Sequence, residues 1–252
     1  MNLITPQWAA PQHIHAFVTT RSGGVSNAPY DSLNLGDHVE DDLKSVLTNR
    51  ALIAAHLPSE PIWMTQTHST IVSTPKSREH WNTPINADAA VSNIPGEVLT
   101  ILTADCLPIL FASRDGAVIG AAHAGWRGLS AGVIENTVTE MRNLSGQLLT
   151  KDIIVWLGPA IGPDSFEVGQ DVVKAFEELD IPMSISAFSP IAGKSGKYLA
   201  NIYQLARARL SVLGVHAIFG GDRCTVKESK EFFSYRRDGK TGRFASFIWL
   251  SK

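Results

Sequence analysis

Short apolar runs separated by glycine, proline and polar turns set the predicted elements of this chain. Residues 15–20 (HAFVTT), 62–67 (IWMTQT), 88–92, 98–102, 107–112, 117–122, 153–157, 215–219 and 244–250 (FASFIWL) read as strands. Helical spacing marks 129–144, where Leu129, Val133, Ile134, Val138 and Met141 share a face and Gly146 lies just past the end. A second helix is predicted from the Asp41-Asp42 pair to about His56, and two more over 171–179 and 201–213. Segment 193–197 (GKSGK) looks the most flexible stretch between the two later helices. Strands and helices alternate without a strict βαβ rhythm. The expected fold class is therefore α/β (α+β): one domain over 1–252, with a mixed β-sheet core flanked by helices.

Composition narrows the function. With 44% hydrophobic residues in 252, the chain can bury a sizeable core. A formal net charge of -2 lacks the broad basic excess of a dedicated nucleic-acid binder, so a small ligand is expected instead. The first twenty residues hold neither a basic n-region nor an unbroken apolar run, and no segment approaches the ~18 apolar residues of a membrane span. A cytoplasmic location is expected, where Cys106 and Cys224 stay as thiols or metal ligands.

Three segments share one design. Trp63–His68, Leu102–Cys106 and Ile119–His123 are apolar runs that stop at a metal-competent side chain. Imidazole nitrogen and thiolate sulfur suit zinc, and three protein donors leave a fourth position for water or substrate, the pattern of catalytic sites. The donors stand 38 and 17 positions apart, which matches no short metal motif. Three readings stay open on residue types alone: a shared ion on His68, Cys106 and His123; two core histidines with a buried cysteine; or a Cys106–His nucleophile pair oriented by Asp105. After His123, Gly125 and Gly128 bracket Trp126 and Arg127 at a strand-to-helix junction, where backbone N–H groups and the Arg127 fork favour an oxyanion. The run Tyr235–Arg243 reads either as a basic rim or as a hairpin tip turned by Asp238-Gly239. Cys224 reads as a structural thiol.

The segments TTRSGGVSNAPYDSLNLGDHVEDD, TQTHS, ADAAVS, LTADCLPILF, AAHAGWRGL, GPAIGPDSFEVG and FFSYRRDGKTGRFASFIWL carry a resemblance across nearly the whole chain. It resembles the laccase-like multicopper polyphenol oxidase family, also described as peptidoglycan editing factor and as purine nucleoside phosphorylase. The resemblance implies zinc on His68, Cys106 and His123, which would also be the catalytic residues, with copper possible at the same site. It implies phosphorolysis of adenosine, inosine and methylthioadenosine and deamination of adenosine, with purine nucleoside and phosphate as partners. Arg21 and Arg127 are expected to bind phosphate, and Asn34 to hydrogen-bond the ligand. Where many members read Q-V-H-G, this chain has Gln66-Thr67-His68-Ser69, and Ser69 is expected to narrow the local backbone.

Two other activities fit the same resemblance. A hydrolase editing UDP-muramoyl-serine could use the open metal position. A copper oxidase is weaker, because such centres need several His-x-His pairs and only His13–His15 is present among 8 histidines. A zinc-stabilised binding module is the non-enzymatic alternative. The oligomeric state stays open, a monomer included.

Overall fold

The computed structural model describes residues 1–79, 85–179, 181 and 185–251. Two sheets dominate. The first has six strands in the order Ala217–Gly220, Ile153–Leu157, Leu107–Ser113, Ile119–Ala124, Ala89–Ser92 and Val72–Ser73. Its outermost pairs are parallel and the central ones antiparallel. The second has five strands in the order Leu3–Ile4, Ile14–Thr19, Phe244–Leu250, Val98–Thr103 and Pro61–Ile62. Only the last pair there is parallel. The fold is a mixed α/β arrangement, as expected, and its mixed β core consists mainly of two stacked sheets.

The side-chain period of two explains the stacking. Along Leu107–Ser113, Leu107, Ile109 and Phe111 pack with Val133, Ile134, Val138 and Met141 of the helix behind the sheet, while Leu110 and Ala112 pack with Leu99, Ile101 and Ile248 of the other sheet. The outer face of the five-stranded sheet buries Phe17, Val98, Leu102 and Phe247 against Ile53 of the helix Leu43–Ala54. Both sheets are thus covered on both faces, and their strands read as near-continuous apolar runs. Phe247 is fully buried, so truncating it to alanine is expected to cost ~3–5 kcal/mol.

Local chemistry fixes the helix starts. Asp42 accepts the Ser45 N–H at 2.9 Å at the head of Leu43–Ala54, and Asn201 accepts the Gln204 N–H at 3.0 Å at the head of Ile202–Val212. The helix predicted over 129–144 is two helices, Trp126–Ala131 and Val133–Ser145. Gly132, at φ 107°, takes a left-handed conformation that apolar spacing cannot register. The strand predicted over 62–67 is likewise split, because Pro61–Ile62 joins the five-stranded sheet and Met64–Thr65 pairs with Ile85–Asn86. Residues 193–197 form the tip between Phe188–Pro190 and Lys197–Ala200, in a three-stranded sheet with Glu167–Gly169 that the periodicity missed. Tyr235–Asp238 is not a hairpin tip. It is a helical turn whose cap, Ser234, accepts the Arg237 N–H at 3.2 Å.

Candidate metal centre

Cys106 stands at the corner where the chain leaves the five-stranded sheet after Thr103 and enters the six-stranded sheet at Leu107. His123 lies on the neighbouring strand, opposite Pro108. His68 arrives from the loop after Met64–Thr65. One candidate ligand atom from each of the three residues lies within 4.8 Å of the others, with Cys106 Sγ 3.7 Å from His68 Nε2. The two imidazole centroids are 4.8 Å apart. Among the described residues this is the one group of three or more such donors gathered closely enough for an ion.

A residue read from sequence only as a strand start organises the group. Asp88 is fully buried. Its Oδ1 accepts the His68 N–H at 2.9 Å and faces His123 Nδ1 at 2.8 Å. Its Oδ2 accepts the N–H groups of Thr67 at 3.1 Å and Ser69 at 2.6 Å, and the Ser69 hydroxyl at 2.7 Å. Three successive amides and one imidazole thus converge on one carboxylate, with His68 held at φ 62°. Ser69 is accommodated by giving Asp88 a further hydrogen bond. With Nδ1 engaged by Asp88, His123 presents Nε2 to the centre, the usual arrangement behind a metal-ligating histidine.

The charges reinforce one another. Burial opposes ionisation of Asp88, but its bonds to His123 and Ser69 prevail and hold the carboxyl well below the usual range. Burial raises the Cys106 thiol, yet His123 and His68 bring it down to about 6. Burial likewise disfavours the His123 cation, while Cys106 and Asp88 raise its pKa to about 9. A thiolate at neutral pH is the form that binds metal. The approach of the next element fits as well. A Cβ at Gly125 would lie 2.8 Å from His68 Cδ2 and 2.9 Å from Cys106 Sγ, so only glycine leaves the trio room.

The trio opens into a cleft of about 580 Å³, walled by Trp126, Ile161, Phe166, Ile202 and Tyr235 and carrying the guanidiniums of Arg127, Arg236 and Arg243. Asp105 does not orient a histidine. Its Oδ1 accepts the Thr225 hydroxyl and its Oδ2 the Arg236 backbone N–H, both at 2.6 Å, and its own φ is 97°. It fixes the cationic wall instead of the donors.

The expected ligand contacts divide. Arg127 lines the cleft, exposed, with its guanidinium 4.4 Å from the Trp126 ring centroid. Arg21 lies outside the cleft wall, bonded to the carbonyls of Asp31 and Ser229, paired with the Asp31 carboxylate and laid over Phe233. Asn34 is fully buried and also away from the cleft. Its amide is spent on Gly36, Asp41 and the Arg243 backbone, so it has no group left for a ligand. Sequence reasoning missed Asp88 and did not separate Arg236 and Arg243 from Arg237, which turns away to the carbonyls of Thr225, Val226 and Phe232. The ADAAVS segment held the Asp88 signal: an acid abutting an apolar strand. His13 bonds the Gly116 carbonyl and His15 stacks on Trp249, so neither joins the trio. Cys224 accepts the Gly162 N–H at 3.3 Å and is likewise separate.

A fold of two stacked sheets with a two-histidine, one-cysteine centre places this chain in a family, and comparison shows which. The chain belongs to the multi-copper polyphenol oxidoreductase laccase family, matched over residues 15–251. It is 50% identical over 253 residues to a purine nucleoside phosphorylase of Haemophilus influenzae, covering 99% of this chain and 100% of that one. It is also 50% identical to the purine nucleoside phosphorylase YfiH of Escherichia coli, over 98% of each. Among solved structures it is similar to Neisseria meningitidis NMB0706, with a TM-score of 0.92, 44% identity and full coverage of both chains. Geobacillus stearothermophilus YlmD matches with a TM-score of 0.88 at 31% identity, over 96% of this chain and 93% of that one. No helix among the described residues is long and apolar enough to cross a membrane.

Proposed function

We propose that this chain is a zinc-dependent purine nucleoside phosphorylase that cleaves adenosine, inosine and methylthioadenosine with phosphate and also deaminates adenosine. One observation carries the reading: a three-donor centre at the wall of a cleft that is large enough for a nucleoside and combines aromatic faces with guanidiniums. The names of its relatives point the same way.

The donor set fits a metal. His68, Cys106 and His123 would hold it, through two imidazoles and a thiolate already lowered to about 6. When bound, zinc supplies a Lewis acid that brings the pKa of water towards ~7. The remaining work belongs to the chain. Asp88 keeps the His123 tautomer fixed by holding Nδ1. Trp126 and Phe166 offer aromatic faces for a purine, and Ile161 and Ile202 exclude water around it. Arg127 offers a forked donor to an oxyanion.

The test is turnover by metal-depleted protein reloaded with zinc or with copper. Zinc-loaded protein is expected to release purine base from the three nucleosides in proportion to added phosphate, and to convert adenosine to inosine. Phenol oxidation that follows copper, with no nucleoside turnover under either metal, would overturn the reading.

A further inference from the structure

Several arginines, inside and outside the cleft wall, are already committed. Arg21 is tied to Asp31 and Ser229; Arg50 bonds the Leu35 carbonyl, pairs with Asp37 and stacks over Trp63. Arg237 is bound to Asp238 and three carbonyls, and Arg236 gives Nη1 to the Glu167 carbonyl at 2.9 Å. Arg127 lies in the cleft, but among the described residues no hydrogen bond or ion pair orients it.

Arg243 differs from all of these. It is half-buried in the cleft wall, and among the described residues no carboxylate pairs with it. Among the described residues only its Nη1 is engaged, on the carbonyls of Thr241 and Gly242, each at 3.0 Å. A guanidinium withdrawn from water without a counter-ion is costly. Burial pushes its pKa down, and Cys106 and Asp105 are the first anionic groups that oppose this. Both Asp105 oxygens are already taken. Arg243 therefore lines the cleft with Nε and Nη2 unengaged among the described residues, the fork that tetrahedral oxyanions accept.

Its backbone is pinned by a turn the metal centre does not use. The Arg243 N–H donates to Asn34 Oδ1 at 2.8 Å, and the Leu35 N–H donates to the Arg243 carbonyl at 3.0 Å. At Gly36 a Cβ would come within 2.8 Å of Arg243 Cγ. Arg243 also lines an adjoining groove of about 410 Å³ with His38, Thr241, Lys240 and Glu40, the last two paired at 2.9 Å, and Arg243, His38 and Tyr235 belong to both cavities. In that groove the buried Thr241 hydroxyl has no hydrogen-bond partner.

We propose that Arg243, at the junction of cleft and groove, is the anchor for inorganic phosphate, and that Asn34 is the positioning residue that aims it. The proposal rests on the phosphorylase reading and adds the co-substrate subsite to it. Phosphate reaches Arg243 from the groove, where Lys240 is already paired with Glu40, while the nucleoside fills the cleft. The Leu-Asn-Leu-Gly turn acts through Arg243 and never touches ligand.

The test titrates inorganic phosphate into zinc-loaded protein by calorimetry without nucleoside, then measures KM for phosphate and for inosine. Arg243→Met is expected to weaken phosphate on the order of 10- to 100-fold, while inosine binding measured without phosphate moves less than about threefold. Arg243→Lys recovers part of the loss. Asn34→Ala gives a smaller loss confined to phosphate, and the double variant is no worse than Arg243→Met alone. If Asn34→Ala does not fold, Gly36→Ala is read in the same way. Unchanged phosphate affinity in Arg243→Met, parallel loss of both ligands, or additive losses in the double variant would overturn the proposal. Wild-type protein that binds phosphate through Arg243 but cleaves no nucleoside removes the phosphorylase reading and leaves the anion site standing. Phosphate-dependent cleavage that survives Arg243→Met does the reverse.

Discussion

Two buried aspartates flank the same centre and do opposite work. Asp88 gathers His123 and three consecutive amides, and so builds the donor side. Asp105 adjoins Cys106 in sequence, yet gathers Thr225 and the Arg236 amide, and so builds the cationic wall. Proximity in the chain misleads here. The acid next to the thiol serves the cleft, and the acid eighteen positions earlier serves the thiol's partners. A carboxylate's role follows from which donors the fold turns towards it, not from its neighbour in sequence.

The largest expected effect removes what both aspartates surround. Cys106→Ala should abolish bound metal and turnover together, read by elemental analysis and nucleoside assay. Full metal stoichiometry in that variant would end the ligand assignment. Asp88→Asn comes next. It places an amide where several donors need an anion, so metal affinity should fall about 10- to 100-fold and stability by about 3 kcal/mol, measured by metal competition and denaturant melts. Asp105→Asn should break the comparison cleanly. Metal content stays, stability drops by about 1–3 kcal/mol, and the loss shows in ligand affinity. Equal metal loss in the two variants would mean that the two roles are not separate.

Proton linkage sharpens the donor side. The Cys106 thiol, at about 6, lies below its usual value of 9.0. Its stabilising charge is therefore fully present above 9.0 and is lost as pH falls through about 6. His123, at about 9, lies above its usual value of 6.5. Its contribution is full below 6.5 and is lost as pH rises through about 9. The metal-free pair is thus charged between these limits. Zinc added at pH 7 should displace about one proton, from His123 rather than from Cys106, and weakly buffered indicator titration can count it. Below pH 6 metal affinity should decline as the thiol reprotonates. The smallest effect lies away from both acids. Arg21→Ala should leave turnover within about twofold and cost about 1 kcal/mol, read from a thermal melt.

How much of this was legible follows from what each signal encodes. The strands Ile153–Leu157 and Phe244–Leu250 were plain, because apolar runs survive burial on both faces. The same property hid the second sheet, since a run covered on both sides does not say what covers it. His68, Cys106 and His123 were legible as donors ending apolar runs, and the fold brings them together. Asp88 was not, because its four partners come from two distant segments. The resemblance points Asn34 at the ligand, but its amide is used up within the protein. The break at Gly132 and the helical turn at Tyr235–Asp238 turn on backbone angles and a serine cap, which hydrophobic spacing does not carry.

The left-handed His68 has one more consequence. Its loop is moulded around a carboxylate that belongs to the protein, so three successive amides are satisfied by Asp88 and call on no other group. Removing an ion from the trio would then leave these hydrogen bonds of the loop in place. Copper generally outcompetes zinc for such donors, so selectivity between the two would have to come from which ion is available rather than from these hydrogen bonds.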